Sequence, residues 1–387
     1  MTRDLKLMMV SMFLWGCGYG LWFILYPLYL AKLGANGVAI GSIMSLAAVG
    51  PAVSHIPASW LADRLGRKEL MAAGWLLGCL AALVMFLAPN LAWFTAGLVA
   101  YNITYFMMSP MEAYLTEARG TLSVPRVLTL NTASYWAGMI LSPALGGQAA
   151  RLWGLRSIFG LAFIFFALST GSLLALRRQP TSAPPRGVNR YRALLTDARF
   201  VGLMLLSFAA VTAFQVGLPL AQNFLADVRG FNLGLVGLMG SFNAVGMTVL
   251  NVAGGRLTPR GGYLLAQALM VLSLALLLTT GAPVWMALAF FCQGGWGLAK
   301  AMTVAQVGQV VDNPKLVLAY GITETVVWLA TSFGSLVAGV LYSRAHTLPF
   351  QVSLVFLAVT LLLMWQLAPR STLRSETDIQ IEKGGDR

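Results

Sequence analysis

Long apolar runs, separated by short polar breaks, dominate this chain of 387 residues. Most runs approach or exceed the roughly 20 residues that an α-helix needs to cross the hydrocarbon core of a bilayer. Apolar residues follow one another continuously and do not alternate with polar ones, which is typical of membrane helices and not of outer-membrane barrels. The breaks divide the sequence into about twelve predicted spans: Leu7–Leu30, Val38–Ala62, Glu69–Ala88, Ala92–Leu115, Val127–Ala150, Ser157–Leu176, Phe200–Asn223, Leu233–Leu257, Tyr263–Gly281, Pro283–Val311, Leu316–Tyr342 and Leu348–Leu367.

The composition excludes the soluble classes of protein. Hydrophobic residues make up 58% of the chain and charged residues 10%, whereas a soluble domain has about 25% charged residues. A soluble domain cannot bury so much apolar surface, because too much of its chain remains at the surface. We therefore expect an all-α membrane protein.

One break is longer than the others and divides the chain into two halves. Residues 177–199 contain three prolines and six arginines. The predicted organisation is a six-helix bundle over residues 1–176, a basic linker over 177–199, a second six-helix bundle over 200–368, and a tail over 369–387.

The positive charges are distributed unevenly between the two sides of the predicted membrane. The net charge is +13, and 20 of the 26 lysines and arginines fall in loops of one side, against 5 on the other. Cytoplasmic loops carry such an excess. We expect a multi-pass protein of the bacterial inner membrane with both termini and the linker in the cytoplasm, and no nucleic-acid partner.

The two halves look like copies of one another. Leucine, arginine and glycine recur 196 residues apart in the loops after the second and eighth spans, at Leu61, Arg64 and Gly66 and again at 257, 260 and 262. Gly147 and Gly339 are 192 residues apart in the fifth and eleventh spans. Repeated halves predict two pseudo-symmetric bundles around a central cavity, with a binding site near mid-membrane.

The loop after the second span carries the most specific motif. Residues 59–68 read Ser-Trp-Leu-Ala-Asp-Arg-Leu-Gly-Arg-Lys. This resembles the signature of the major facilitator superfamily, Gly-x-Leu-Ala-Asp-Arg-x-Gly-Arg-Lys, with Ser59 in place of glycine, and the resemblance extends over the whole chain. It implies a conformational latch that an acid of the fourth span joins: Asp63, Arg64, Gly66, Arg67, Lys68 and Glu117. For Arg64 and Lys68, a purely solvated positive-inside role is an equal alternative.

The fifth span carries a second motif. It resembles the antiporter motif of the superfamily, Gly-x-x-x-Gly-Pro-x-x-Gly-Gly, which in the family is associated with export. The matching residues are Gly138, Ser142, Pro143, Gly146 and Gly147, with serine replacing one glycine. Generic helix packing through small residues is the alternative. The fourth span lacks the arginine usual in drug–proton antiporters and has Tyr101 and Asn102 in that region.

Three charged residues inside predicted spans are candidates for function, because charge is costly within a membrane. They are Glu112, Lys300 and Glu324. Either carboxyl group could carry a coupling proton. The alternatives are a structural Lys–Glu pair, or a Glu112 close enough to the interface to be solvated.

Aromatic residues provide a candidate surface for the substrate. Trp15, Tyr19, Trp22 and Tyr26 fall on one face of the first span. Because spans one, four, seven and ten line the cavity in the resembling family, we add Tyr101, Asn102, Tyr105, Gln215, Asn223, Gln293 and Trp296. Such a wall suits an amphiphilic or aromatic molecule, and ring faces also attract cations. Lipid-facing aromatics are the alternative.

These features predict a secondary active transporter that works by alternating access, with proton-coupled export of an amphiphilic or aromatic small molecule. The alternatives are a nutrient importer on the same scaffold and, from another class, a non-transporting receptor or a lipid scramblase. No phosphate-binding loop or catalytic set occurs, so we expect no enzyme activity, cofactor or metal. The expected partners are the substrate, protons and membrane lipids, with the protein as a monomer.

Overall fold

The computed structural model describes residues 1–179, 194–311 and 316–367. Within this part, the side chains of residues 55–65, 109, 125, 316 and 317 are outside the description. Most of the predicted linker and the predicted tail from residue 369 therefore lie outside the described residues. The division of the chain at those boundaries stays a prediction.

The chain folds into twelve helical spans in two six-helix bundles around a central cavity. Spans 1 to 6 are Arg3–Phe23 with Tyr26–Lys32, Gly37–Leu65, Arg67–Leu87, Leu91–Ala118, Val124–Trp153 and Ser157–Leu174. Spans 7 to 12 are Ala198–Gly217 with Ala221–Asp227, Leu233–Gly254, Pro259–Thr279, Pro283–Gln293 with Gly295–Val310, Leu316–Arg344 and Leu348–Leu367.

Most of these spans are individually long and apolar enough to cross a membrane. Among the described residues, nine helices are long and apolar enough to cross a membrane, and span 1 makes ten if its two bent pieces are taken together. Span 5 and span 10 fall below that threshold. Span 10 does so because it is divided into helices of 11 and 16 residues.

Four spans are interrupted, where the apolar runs predicted unbroken crossings. Span 1 bends by 41° before its second piece, and span 7 breaks around Pro219. Span 4 contains a 3-10 turn at Thr104–Met107, and span 10 breaks at Gly294. Proline removes a helical hydrogen bond, and a Cβ atom at Gly294 would lie 2.3 Å from the backbone of Gly246. The interrupted helices are spans 1, 4, 7 and 10, and interrupted membrane helices commonly surround a binding site.

Two helix pairs make the most extensive contacts between the halves, and they repeat the internal symmetry of the sequence. Span 2 packs on span 11, where a Cβ atom at Gly41 would lie 2.6 Å from the Cα atom of Gly339. Span 8 packs on span 5, where a Cβ atom at Gly237 would lie 2.7 Å from the Cα atom of Gly147. Gly237 lies 196 residues after Gly41, and Gly339 lies 192 after Gly147. We call these contacts the two seams.

In each seam an equivalent serine also takes part in a hydrogen bond. Ser45 and Ser332 hydroxyls are 2.8 Å apart across the first seam. In the second seam the backbone N–H of Ala144 donates to Ser241 Oγ at 3.1 Å. Ser241 lies 196 residues after Ser45. The seams therefore bring small residues together on one side of the membrane midplane.

We name the two faces of the molecule by their loops. The basic face carries Arg67 and Arg119, and the opposite face carries Gly37, Arg151 and Arg344. A Cβ atom at Gly37 would lie 2.7 Å from Ser343 Oγ. The seams therefore close the halves against each other at the opposite face.

Gly41→Val and Gly237→Val test this closure. A branched side chain overpacks the seam, at a cost of about 1–3 kcal/mol to the closed arrangement. With the native cysteines replaced by alanine, we expect a Ser332→Cys probe to react several-fold faster with a membrane-impermeant maleimide in either valine variant. Gly202→Val is the control, because nothing lies within 4 Å of a Cβ atom there. Equal labelling in all variants would contradict the closure by the seams.

Candidate functional site

The loop between spans 2 and 3 leads directly into Arg67, which contacts a predicted latch residue of span 4. Gly66 precedes span 3 with φ of +98°, a conformation that other residues rarely adopt. The next residue, Arg67, pairs through its guanidinium with Glu117 Oε2 at 2.7 Å. The side chains of Asp63 and Arg64 lie outside the described residues. The latch role of the whole set stays a prediction.

The start of the predicted linker is attached to the same face. Lys68 Nζ donates to the backbone carbonyl of Leu176, and Arg178 pairs with Glu69 at 2.6 Å. The hydroxyl of Tyr114 donates to the Arg177 carbonyl at 2.9 Å. The end of span 6 is thereby held against spans 3 and 4 within one half of the molecule.

The fifth-span motif divides between two neighbours. Gly138 and Gly146 face span 1, since Cβ atoms there would lie 2.3 Å from Phe13 O and 2.1 Å from Leu21 O. Pro143 and Gly147 face span 8 in the other half. The small residues of the fifth-span motif therefore allow close packing within one half and between the halves at the same time.

Ser142 of the motif makes a hydrogen bond within its own helix and packs against span 1. Its hydroxyl donates to the Gly138 carbonyl at 2.8 Å. A Cβ atom at Gly20 would lie 1.9 Å from Ser142 Oγ. Serine therefore fits this position against a glycine partner.

The charged residues of spans 10 and 11 meet two to three helical turns from the basic-face ends of these spans. Lys300 Nζ lies 3.0 Å from Glu324 Oε2. Their side chains are 36% and 29% exposed, although both lie well inside their spans. The ammonium also lies 5.7 Å from the ring centroid of Trp328. Both partners belong to the same half, so this pair can move with that half as a unit.

Glu112 belongs to the other half. It lies in span 4, seven residues after Tyr105 toward the basic face, and its side chain is exposed. Because the halves are closed at the opposite face, we assign its water contact to the space between the halves that opens toward the basic face.

The two tryptophans of the first-span face lie in the interior of their own half. Trp15 is 4% exposed and packs against Trp75 and Phe166, with ring centroids 5.2 and 4.5 Å away. Trp22 is 1% exposed and packs against Phe159 at 6.1 Å. The Trp22 indole N–H has no hydrogen-bond partner there. In this arrangement these rings contribute packing, and their place in a cavity wall stays a prediction.

Tyrosines connect span 1 to span 4 and to the other half. The rings of Tyr19 and Tyr101 stack at 5.8 Å, and Tyr19 also lies 6.3 Å from Tyr135. Tyr105 contacts Trp328 across the halves, with centroids 4.9 Å apart and planes at 63°. Tyr101 is buried and the other rings are partly exposed, and Trp328 lies beside the charged cluster.

The other predicted cavity residues are distributed over several environments. Asn223 Nδ2 reaches the Pro27 carbonyl of span 1 at 3.4 Å, and Asn102 Nδ2 donates to Leu98 of its own helix at 2.9 Å. Gln293 is 4% exposed and its Nε2 atom has no partner. The remaining three are Tyr26 against Trp22, Gln215 against Gly334, and Trp296 against Phe214.

Sequence reasoning missed Trp328 and the seam serines. Trp328 lies four residues after Glu324, so the helical spacing places it on the same face. That spacing could have identified it. Ser45 and Ser241 could have been found from the 196-residue repeat.

Comparison with known proteins identifies the fold family. The profile of the Major Facilitator Superfamily matches residues 7–265 and 203–384. The chain belongs to the major facilitator superfamily. A variant of the nucleoside transporter NupG has a crystal structure of the same fold, with a TM-score of 0.82, 14% identity, and coverage of 94% of this chain and 99% of that one.

Two superfamily members with curated names are similar over nearly the whole chain. Multidrug resistance protein MdtG of Serratia proteamaculans (strain 568) is 24% identical, covering 98% of this chain and 97% of the relative. Multidrug resistance protein 1 of Bacillus subtilis (strain 168) is 23% identical, covering 92% and 94%. This superfamily protein is therefore a multi-pass membrane transporter of small molecules.

The Arg67–Glu117 contact predicts a variant that slows transport without weakening binding. Span 2 contributes to the first seam and leads into the latch loop. Loss of the Arg67–Glu117 pair loosens the turn at Gly66, and this changes how span 2 moves. We expect Glu117→Gln to cost under about 1 kcal/mol of stability, because the pair is exposed. Transport should slow several-fold while equilibrium binding of a transported dye is retained.

Glu69→Gln is the matched control, since Glu69 forms a second exposed ion pair on the same face. Flux and melting temperature would be measured for both variants. If the two variants lost flux equally, the latch role of Glu117 would be rejected.

Proposed function

We propose that the protein exports amphiphilic or aromatic small molecules in exchange for protons. The halves rock about a central cavity that is open in turn to each side of the membrane. On the basis of the positive-inside pattern, the basic face is cytoplasmic. The closed seams then correspond to a state that receives substrate from the cytoplasm.

The observation that carries this proposal is the charge arrangement of spans 4, 10 and 11. Lys300 and Glu324 neutralise one another, which leaves Glu112 as the remaining charge of the three. A bare carboxylate is costly in a membrane interior. Glu112 therefore favours a proton, or another positive charge, whenever the cavity moves between the two sides.

This requirement supports exchange of substrate for a proton. Water reaches Glu112 from the cytoplasmic side in the described state, so a proton can leave in that direction. For the cavity to open outward again without a proton, another partner must take the place of the proton at Glu112. The bound substrate fills this role in its complex with the protein. Proton entry thereby drives substrate exit.

The relatives support export as the direction of transport. Both relatives are named as multidrug resistance proteins, and each matches more than nine-tenths of this chain. Part of the fifth-span motif also lies in the seam between the halves. The nucleoside transporter shares the fold only, since the sequences are 14% identical. An importer on the same scaffold remains the second candidate in transport.

Liposomes containing the purified protein test the proposal. With an acidic lumen, proton exit drives an exchanged substrate inward, so we expect ethidium to accumulate. Ethidium carries a permanent charge and is not trapped by protonation. A proton–substrate symporter would deplete the lumen instead, whichever way the protein is inserted, and a receptor or scramblase would show no gradient-dependent accumulation.

Glu112→Gln is the decisive variant. A glutamine imitates the protonated carboxyl group and cannot release a proton, so we expect gradient-driven accumulation to fall at least tenfold. Exchange of labelled for unlabelled dye without a gradient should be affected less. Glu69→Gln should retain driven transport. Full driven transport by Glu112→Gln would remove this residue from the coupling step.

A further inference from the structure

A groove of about 770 Å³ runs between spans 2 and 4, in the part of the protein nearer the opposite face. We propose that it binds one hydrocarbon chain of a phospholipid from the leaflet at that face. The bound chain supports the outer helix of span 4, Leu91–Ile103, above the 3-10 turn that interrupts this span. The inference goes beyond the proposed export, because it concerns a membrane lipid and no step of it involves a proton.

The groove opens toward the bilayer. Gly41 and Ser45 of span 2 face span 11 at the first seam. Leu46 lies about 100° further round the helix than Ser45 and is 52% exposed. On span 4, the lining residues Ala92 and Ala96 are exposed as well. Because the seams close the halves against each other at this face, exposed side chains here point to the surrounding membrane.

The groove exists because a side chain separates span 4 from span 2. A Cβ atom at Gly50 of span 2 would lie 3.0 Å from the side chain of Ile103. The equivalent glycine of span 8, Gly246, follows 196 residues later, and a Cβ atom there would collide with the backbone carbonyl of Phe291 in span 10. Spans 8 and 10 therefore meet through their backbones, whereas spans 2 and 4 stay further apart.

The side chains along the groove are also smaller than their counterparts in the second half. Spans 4 and 10 begin 192 residues apart, at Leu91 and Pro283, and the offset between spans 2 and 8 is 196. Three lining residues have larger counterparts at these offsets: Leu288 for Ala96, Phe291 for Val99, and Phe242 for Leu46. An empty apolar cavity destabilises a protein in proportion to its volume. The second half fills this position with its own side chains, and the first half leaves it for another molecule.

The lining and the length of the groove suit a hydrocarbon chain. Of the described lining residues, only Thr95 has a polar side-chain group, and its hydroxyl donates to the Leu91 carbonyl of its own helix at 2.8 Å. The outer helix of span 4 has 13 residues and rises about 20 Å. The hydrocarbon of one leaflet is about 15 Å deep. A chain that lies along this helix therefore crosses its leaflet while it follows the groove.

The two ends of the groove indicate how the lipid lies. Trp93, in the first turn of span 4, is exposed, and tryptophans mark the headgroup level of a membrane. A chain attached to a headgroup at that level reaches down to Ile103, where the 3-10 turn begins. Tyr105 of this turn packs against Trp328 of the other half at 4.9 Å. The bound chain thus braces the segment that positions Tyr105.

Photolabelling of the wild-type protein tests the site without any substitution. The protein is placed in nanodiscs that contain a phosphatidylcholine with a diazirine on one acyl chain, and labelled residues are located by peptide mass spectrometry. We expect several-fold more label at Leu46 and Ala96 than at Val355, which is exposed at a similar depth in span 12. Equal labelling of the two surfaces would reveal only the ordinary lipid boundary and would overturn the proposal.

The groove can be filled with the side chains that span 10 carries. Ala96→Leu combined with Val99→Phe should abolish the excess label on span 2. Val355→Phe combined with Ala358→Leu is the matched control, because it makes the same two exchanges at the same spacing on an exposed face of span 12. The control should keep the excess label. An excess that persisted in the filled groove would contradict a chain bound there.

Thermal stability gives a second readout of the same site. A ligand that binds only the folded protein raises its melting temperature. For delipidated protein in detergent, we expect palmitoyl-oleoyl phosphatidylcholine to raise the Tm of the wild type and of the span 12 control by several degrees. The filled variant should begin at a higher Tm and gain less than half as much. Equal gains in all three proteins would count against the groove as the binding site.

Other occupants would give different results. If excess ethidium removed the label from the groove but not from span 12, the groove would belong to the path of the substrate and the proposal would be wrong. Labelling by a diazirine fatty acid, but not by the phospholipid, would also overturn it. Neither labelling nor melting requires transport. Failure of proton-driven export therefore leaves this inference intact, and failure of the lipid site leaves export intact.

Discussion

Close approach of backbones at two glycine pairs is the contact on which the arrangement of the halves depends. Gly41 with Gly339, and Gly237 with Gly147, leave no room for a side chain. Helices in a bilayer gain little from the hydrophobic effect, so their association depends on this kind of packing and on hydrogen bonds such as that of Ser45. A contact formed from small residues can close and open without burying or exposing a charge, as alternating access requires.

The charged cluster lies directly beneath the closed contact, and the two are connected. In span 11, Glu324, Trp328, Ser332 and Gly339 follow each other toward the opposite face. The ring of Trp328 touches Lys300 below it and Tyr105 across the halves. One helix therefore connects the ion pair to the seam, and it offers the proposed coupling a physical path.

The sequence predicted the spans and the two six-helix bundles, because those features follow from the cost of polar groups in a membrane. It could not predict that Trp15 would be packed inside its own half, since a helix face of aromatic residues has the same spacing whether it lines a cavity or contacts a neighbouring helix. The sequence cannot decide whether Lys300 pairs with Glu324 for a similar reason. Which charges meet depends on the rotation of each helix, and apolar membrane helices carry little periodic signal for that rotation.

The internal symmetry relates the helix contacts of the two halves, whereas the charged residues depart from that symmetry. The offset of 192 residues that relates Gly147 to Gly339 also relates Trp136 to Trp328 and Thr132 to Glu324. Both halves thus have the aromatic ring, but only span 11 has the carboxylate one turn before it. A symmetric cavity would carry the same charge on both walls and would repel itself. Lys300 and Glu324 pair within one half, and Glu112 belongs to the other. In the proposed mechanism a single positive charge completes this set, and a proton or the substrate would supply it.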